Sequence, residues 1–217
     1  MIRRSALLCL LSACLLTGGL VRAAESAPDA MVKSVTEEVL TVLRQDKGIQ
    51  SGNRQRAMSV IESKVAPHFD FSRMTSLAVG RAWGRADAGQ RAALTDEFRT
   101  LLVRTYANAL TAYRDQTVTF KAPSRAGEDG EITVHSQINK PGAQPIPLDY
   151  SLARSGGEWK VFDVAVANVS LVTNYRASFA SEIEKGGVAG LIASLKAKNR
   201  SSGDARATAG GAGPHSG

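Results

Sequence analysis

Cysteine is nearly missing from this chain. Its 217 residues hold two, Cys9 and Cys14, both close to the N-terminus. If the first 23 residues are removed, the remainder has none, which excludes disulfides, thiolate catalysis and cysteine metal sites. Histidine is almost as scarce: His68 and His135 fall on different predicted elements, and His215 lies near the C-terminus. No His-x-x-x-His and no Glu/His pair at ligand spacing occurs, so no metal is expected. There is no Gly-x-Ser-x-Gly elbow and no glycine-rich phosphate loop, so neither a serine nucleophile nor a nucleotide cofactor is implied. Runs of Lys and Arg interleaved with aromatics are absent too, and nucleic acid is not an expected partner. Long apolar runs are also lacking. A bilayer-spanning helix needs about 20 apolar residues; Ala6 to Leu16 is too short, and nothing later approaches that length.

What is present begins with an address. Arg3 and Arg4 precede the apolar run, and Val21-Arg22-Ala23 offers a cleavage point, the pattern of a secretory signal peptide over residues 1–23. Leu11-Ser12-Ala13-Cys14 also resembles a lipoprotein box, which would leave Cys14 lipidated; the apolar residues continuing through Val21 argue against it. Without Arg3, Arg4 and Arg22 the formal charge falls from +7 to 24 basic against 20 acidic residues, or +4. That mild excess suits an anionic surface or partner.

Helical periodicity dominates the first half. Val32, Val35, Val39, Val42 and Leu43 mark a helix from near Ala30 to Arg44, with Ser26 and Asp29 placed as a capping box. A turn is expected at Gly48 to Gly52, then a helix from Arg54 to Val65 ended by Pro67. Asp70 is placed to cap a short helix closed by Gly80, and Asp87-x-x-Gln90 to cap the longest one. Along that helix Phe98, Leu101, Leu102, Thr105, Tyr106, Ala109, Leu110 and Tyr113 read as a single stripe. The pattern then alternates. Residues 117–120, 131–138, 146–152 and 159–166 are expected to form a four-stranded antiparallel meander, with turns at Gly127/Gly130, Pro141-Gly142 and Ser155-Gly156-Gly157. Helical spacing returns after Ser170, breaks at Gly186-Gly187 and resumes to about Lys198. Residues 199–217 are rich in Gly, Ala and Ser and read as a disordered tail. Helices, a meander, then helices give an α+β fold, with the long helix cradled by a curved sheet.

The space between sheet and long helix is the candidate ligand site. Leu102, Tyr106, Leu110 and Tyr113 on the helix, Tyr150, Leu152 and Val166 on strands, and Val169, Leu171, Val172, Tyr175 and Phe179 further on are expected to line it. Each taken singly reads as core. Asp149 and Asp163 sit on strands, where a carboxylate facing a pocket can act as general base; a solvent-facing or paired carboxylate is the competing reading.

The ordered motifs carry a family resemblance. His68-Phe69-Asp70-Phe71 with Met74-Thr75 and Gly80-Arg81-x-Trp83 comes first, then Gln90-Arg91 with Glu97-Phe98-x-x-Leu101-Leu102-x-x-x-Tyr106. Trp159-Lys160-Val161-Phe162-Asp163-Val164 and Val169-Ser170-Leu171-Val172-x-Asn174-Tyr175-Arg176-x-x-Phe179 follow, and Gly187-x-x-Gly190-Leu191-Ile192-x-x-Leu195 closes the set. In order and spacing this resembles the MlaC family, periplasmic components of a lipid-asymmetry, or toluene-tolerance, transport system. One departure is Ala167-Asn168, where such proteins carry Glu-Gly; Asn can adopt the left-handed conformation that glycine supplies. The resemblance implies a cone-like, NTF2-like arrangement over residues 24–198. It implies a monomeric periplasmic carrier that shuttles phospholipid between an outer-membrane lipoprotein complex and the MCE-domain protein of an inner-membrane ABC transporter, maintaining outer-membrane lipid asymmetry without catalysis or cofactor. Arg176 is a candidate headgroup contact, or else an outward residue facing a partner or solvent. An enzyme acting on a small apolar ligand, and a periplasmic interaction protein with a filled interior, remain the alternative function classes.

Overall fold

The computed structural model describes residues 27–121, 126–127 and 129–204. The expected leader with both cysteines, the capping residue Ser26 and the chain from residue 205 onward lie outside them. The first helix, α1 (Ala27–Gln45), starts slightly before the predicted onset. The glycine-flanked stretch expected as a turn is a short helix, α2 (Lys47–Gln50). Asp46 caps it by accepting from the Ile49 amide at 3.0 Å, and Ile49 is buried beneath it. Helix α3 (Arg54–Val60) opens on Asn53 and does not stay α-helical to Val65. It widens into a π turn (Ile61–Val65) and tightens into a 3-10 turn (Ala66–His68). Pro67 has no N–H to give the regular ladder, so the hydrogen bonding shifts around it.

Asp70 caps α4 (Phe71–Val79) as expected, accepting from the Arg73 amide at 2.9 Å. Gly80 follows with φ 65° and ψ −136°, a positive-φ conformation outside the left-handed helical region, and the chain runs on through a 3-10 turn, Gly80–Arg85. The capping box on α5 (Ala88–Thr111) is complete, with Asp87 and Gln90 each accepting the other's backbone amide.

The sheet is antiparallel and sequential: β1 (Thr117–Phe120), β2 (Ile132–Asn139), β3 (Ile146–Ser155), β4 (Glu158–Val166) and β5 (Val169–Ser170). The fifth strand is two residues long, too short for an alternation pattern to reveal, which is why four strands were expected. Its turn places both Ala167 and Asn168 at positive φ, 51° and 66°, so the Asn behaves as anticipated and the alanine joins it. A β-bulge interrupts the β3–β4 ladder: Leu152 pairs with Val161 while Ser151 pairs with Asp163, leaving Phe162 as the extra residue. Val161 and Val164 therefore share the inner face, and Phe162 turns to the outer one.

Helix α6 (Leu171–Asp204) is bent at Gly187, whose φ of 65° and ψ of −167° break it where the glycine pair predicted. It passes the expected domain end at Lys198. Asn199, assigned to the tail, is buried and donates from Nδ2 to the Glu97 carbonyl at 2.9 Å and to Glu97 Oε2 at 2.7 Å. Arg104 also donates to its carbonyl. Those long-range contacts were hidden by the small, polar composition around them.

Three apolar clusters organise the described residues. Helices α4, α5 and α6 form one around Met74, Leu94, Phe98, Phe179, Leu191 and Leu195, joined by Ala153 and Phe162 from the outer sheet face. A second lies among α1, α2, α3 and α5, around Leu43, Ile49, Ala57, Val103 and Ala107. The third sets Val32 of α1 against Ile132, Val134, Leu152, Val161 and Val164 on the inner sheet face. The helix lying along the sheet is thus α1, and α5 reaches that space only near its C-terminus. The stripe read on α5 is really two faces, one in the cluster with α4 and α6 and the other in the cluster with α1, α2 and α3. Among the described residues no helix is long and apolar enough to cross a membrane.

Candidate ligand cavity

Between α1 and the inner face of the sheet lies a cavity of about 450 Å³. One wall is α1, through Met31, Val32, Val35, Thr36, Val39, Leu40 and Leu43. The sheet supplies Val118, Ile138, Leu148, Tyr150 and Val161, one from β1 and the rest from the facing positions of β2, β3 and β4. The end of α5 and the turn after it add Ala109, Leu110, Ala112, Tyr113 and Gln116, and the region before α4 adds Val65, His68 and Phe69. These walls are almost wholly apolar. A cavity filled with water needs two to four polar partners for each molecule, and this one offers few. The lining stretch of α1, from Met31 to Leu43, is about 18 Å long at 1.5 Å rise per residue.

The hydroxyl groups that reach the cavity are anchored. The Tyr113 hydroxyl accepts from Arg44 Nε at 3.2 Å. Thr36 donates to the Val32 carbonyl at 2.8 Å, one helical turn back. Burial pushes the Tyr150 phenol above its ordinary value, with hydrogen bonds to Thr36 and Ser136 pulling the other way. Tyr150 therefore stays neutral under ordinary conditions and presents a ring rather than a charge.

The predicted lining residues separate in space. Leu110, Tyr113 and Tyr150 line the cavity. Leu152, Val166 and Leu171 belong to the adjoining packing of the inner sheet face without reaching the cavity wall, and Val169 is 56% exposed on β5. Leu102, Tyr106, Val172, Tyr175 and Phe179 sit in the α4–α5–α6 cluster instead. There Phe98 meets Tyr175 and Phe179 edge-on, with ring centroids 5.0 and 5.1 Å apart, so these aromatics fill one another's space. Arg176 is exposed on the same assembly, donating to the Leu77 carbonyl at 3.1 Å, and does not line the cavity.

The residues missed were those of α1. Its apolar positions, Met31/Val32, Val35/Thr36, Val39/Leu40 and Leu43, form paired rows instead of one narrow stripe. That breadth is the signal that could have found the wall.

Neither candidate base faces the cavity. Asp163 is a structural acceptor: its carboxylate takes the Val164 amide at 2.8 Å, the Val172 amide at 3.1 Å and the Ser170 hydroxyl, tying the start of α6 to β4. Asp149 lies on the outer sheet face with its Oδ1 3.0 Å from His135 Nδ1. His68 ends its 3-10 turn and also lines the cavity. Among the described residues no cluster of His, Cys, Asp and Glu could hold a metal.

Comparison with known proteins agrees with this architecture. The family model described as "MlaC protein" matches residues 33–197. The toluene tolerance protein ttg2D of Pseudomonas putida is 26% identical over 169 residues, covering 77% of this chain and 78% of its own. The intermembrane phospholipid transport system binding protein MlaC of Haemophilus influenzae is 22% identical over 176 residues, 80% and 82% of the two chains. A phospholipid-binding protein from Ralstonia solanacearum, solved in complex with a phospholipid, superposes with a TM-score of 0.74 at 37% identity, covering 81% of this chain and 98% of that one.

Proposed function

The chain belongs to the MlaC family, and from that membership we propose that it is a soluble periplasmic phospholipid carrier, sheltering acyl chain in the cavity between α1 and the sheet. The observation that carries this reading is an apolar volume of about 450 Å³ that the protein's own side chains leave unfilled. A methylene occupies about as much space as a water molecule, ~30 Å³, so the cavity has room for roughly 15 methylenes. At about 0.8 kcal/mol each, exposing such a chain to water costs on the order of 12 kcal/mol. A carrier that covers the chain removes most of that barrier and needs no bond-making. The engagement of Asp163 in capping and the outward position of Asp149 support a binder over an enzyme. We further propose that the carrier exchanges lipid with an outer-membrane lipoprotein complex and with the MCE-domain protein of an inner-membrane ABC transporter, that it works as a monomer, and that residues 1–23 direct its export.

Native mass spectrometry of the mature protein from periplasm, followed by solvent extraction, tests the central claim. A stoichiometric phospholipid adduct is expected on the native chain and its loss on Val39→Trp, which fills the cavity from the α1 side. A bare mass, with no uptake from added liposomes, overturns the carrier reading in favour of an interaction protein.

A further inference from the structure

We propose that Arg44 holds the phosphodiester of the bound lipid at the mouth of the cavity, pinned there by Tyr113; the inference rests on the carrier reading above. The mouth is located by exposure. Of the residues lining the cavity, only Ala109 and Ala112 are exposed. An alanine side chain is a single methyl, so the wall at this point meets water. Tyr113 follows immediately, buried at 9% exposure with its ring on the cavity. Its hydroxyl accepts from Arg44 Nε at 3.2 Å, which fixes a guanidinium where the apolar wall ends.

The neighbouring charges leave that guanidinium available. It has five N–H donors, and the bond to Tyr113 uses one. Among the described residues no carboxylate forms an ion pair with Arg44. Asp46 is held by Arg56 at 2.7 Å, and the same bond keeps its carboxyl below the usual value. Glu38 is held by Lys64. Asp115 is exposed nearby in sequence. Arg114, the other cation at this end, spends Nη1 on the Thr111 and Tyr113 carbonyls at 2.9 and 2.6 Å, which offsets the negative end of α5. The remaining donor fork of Arg44 matches two oxygens of one phosphate, a geometry that lysine cannot reproduce. A lipid seated this way runs its chain from Leu43 back along α1 toward Met31.

The test compares uptake of dioleoyl phosphatidylglycerol with that of dioleoylglycerol, which has the same chains and no phosphate. Delipidated mature protein is equilibrated with vesicles containing each and read by native mass spectrometry. Arg44→Ala is expected to weaken phosphatidylglycerol uptake roughly tenfold, as loss of a charge-assisted hydrogen bond does, with dioleoylglycerol uptake unchanged. Arg44→Lys falls between, and Tyr113→Phe, which keeps the ring, gives a smaller loss in the same direction. Arg44 is exposed, so unchanged melting is expected of its variants. Equal loss of both lipids in Arg44→Ala, or loss of neither, overturns the proposal, as does a phosphate-selective loss in Arg176→Ala instead. Native protein that takes up neither lipid overturns the carrier reading and this inference together.

Discussion

Two apolar regions of the molecule are filled differently. On one side, α4, α5 and α6 close around Leu94 and Phe98, both 0% exposed, with the rings of Tyr175 and Phe179 set edge-on against Phe98. On the other, Val35, Val39 and Leu40 of α1 face a sheet of similar character across an unfilled space. The contrast lies in reach. Aromatic rings approach from two helices at once in the first region, while short aliphatic side chains in the second stop before they touch. A protein can therefore hold an unfilled apolar volume without placing any unusual residue there, provided that another layer supplies the stability.

Deleting the same atoms on each side sharpens that contrast. Leu94→Ala in the sealed region is expected to cost about 2–5 kcal/mol, because a cavity opens among atoms that cannot close over it. Chemical denaturation measures it, and a cost near zero would show that the sealed region is as loosely filled as the other. Asp163→Ala comes next, at roughly 1–3 kcal/mol, since three donors, one each on β4, β5 and the first turn of α6, lose their acceptor. Restoration of most of that stability by Asp163→Asn would identify the loss with the cap rather than with the charge.

Alkali provides a third comparison. Burial raises the phenol values of Tyr106 and Tyr175 in the sealed region and of Tyr150 on the cavity. A raised folded value favours the neutral phenol, so this stability is fully present below the unfolded value of 10.0 and is lost as pH climbs beyond it. Tyr150→Phe is expected to lessen the fall in unfolding free energy between pH 9 and pH 11 while leaving the part due to the other two. Identical pH profiles for the variant and the native chain would remove Tyr150 from the account. The smallest effect is expected of Leu40→Ala, below about 1.5 kcal/mol, because one side of Leu40 already lacks neighbours. A cost equal to that of Leu94→Ala would mean that the two regions are not distinct.

What the sequence disclosed and withheld follows the same division. Signals confined to a few neighbouring residues were readable: the Asp87/Gln90 box, the Asp70 cap, the four longer strands and the break at Gly187. The two-residue β5 and the α2 turn held too few positions for a period to form. The cavity was hardest to read because apolar spacing identifies the side of a helix that is covered, and says nothing about whether the opposing surface fills the gap. Large rings at Tyr175 and Phe179 suggested a pocket and turned out to seal one another. The plain valines of α1 suggested ordinary core and turned out to form the wall. Asn199 was assigned to a tail on composition, although one side-chain amide reaching Glu97 is enough to hold that stretch of α6 in place.

The extra residue at Phe162 sets the parity of everything that follows it. Were Phe162 paired regularly with Ser151 instead of bulged, the strand would bring Asp163 opposite Tyr150, pointing a carboxylate into the cavity, while Val164 and Val166 turned outward. The acceptor that starts α6 would be lost in the same step. A single unpaired position on β4 thus keeps the greasy side greasy and places the next helix, so that pairing or skipping one residue selects between two opposite polarities of the strand.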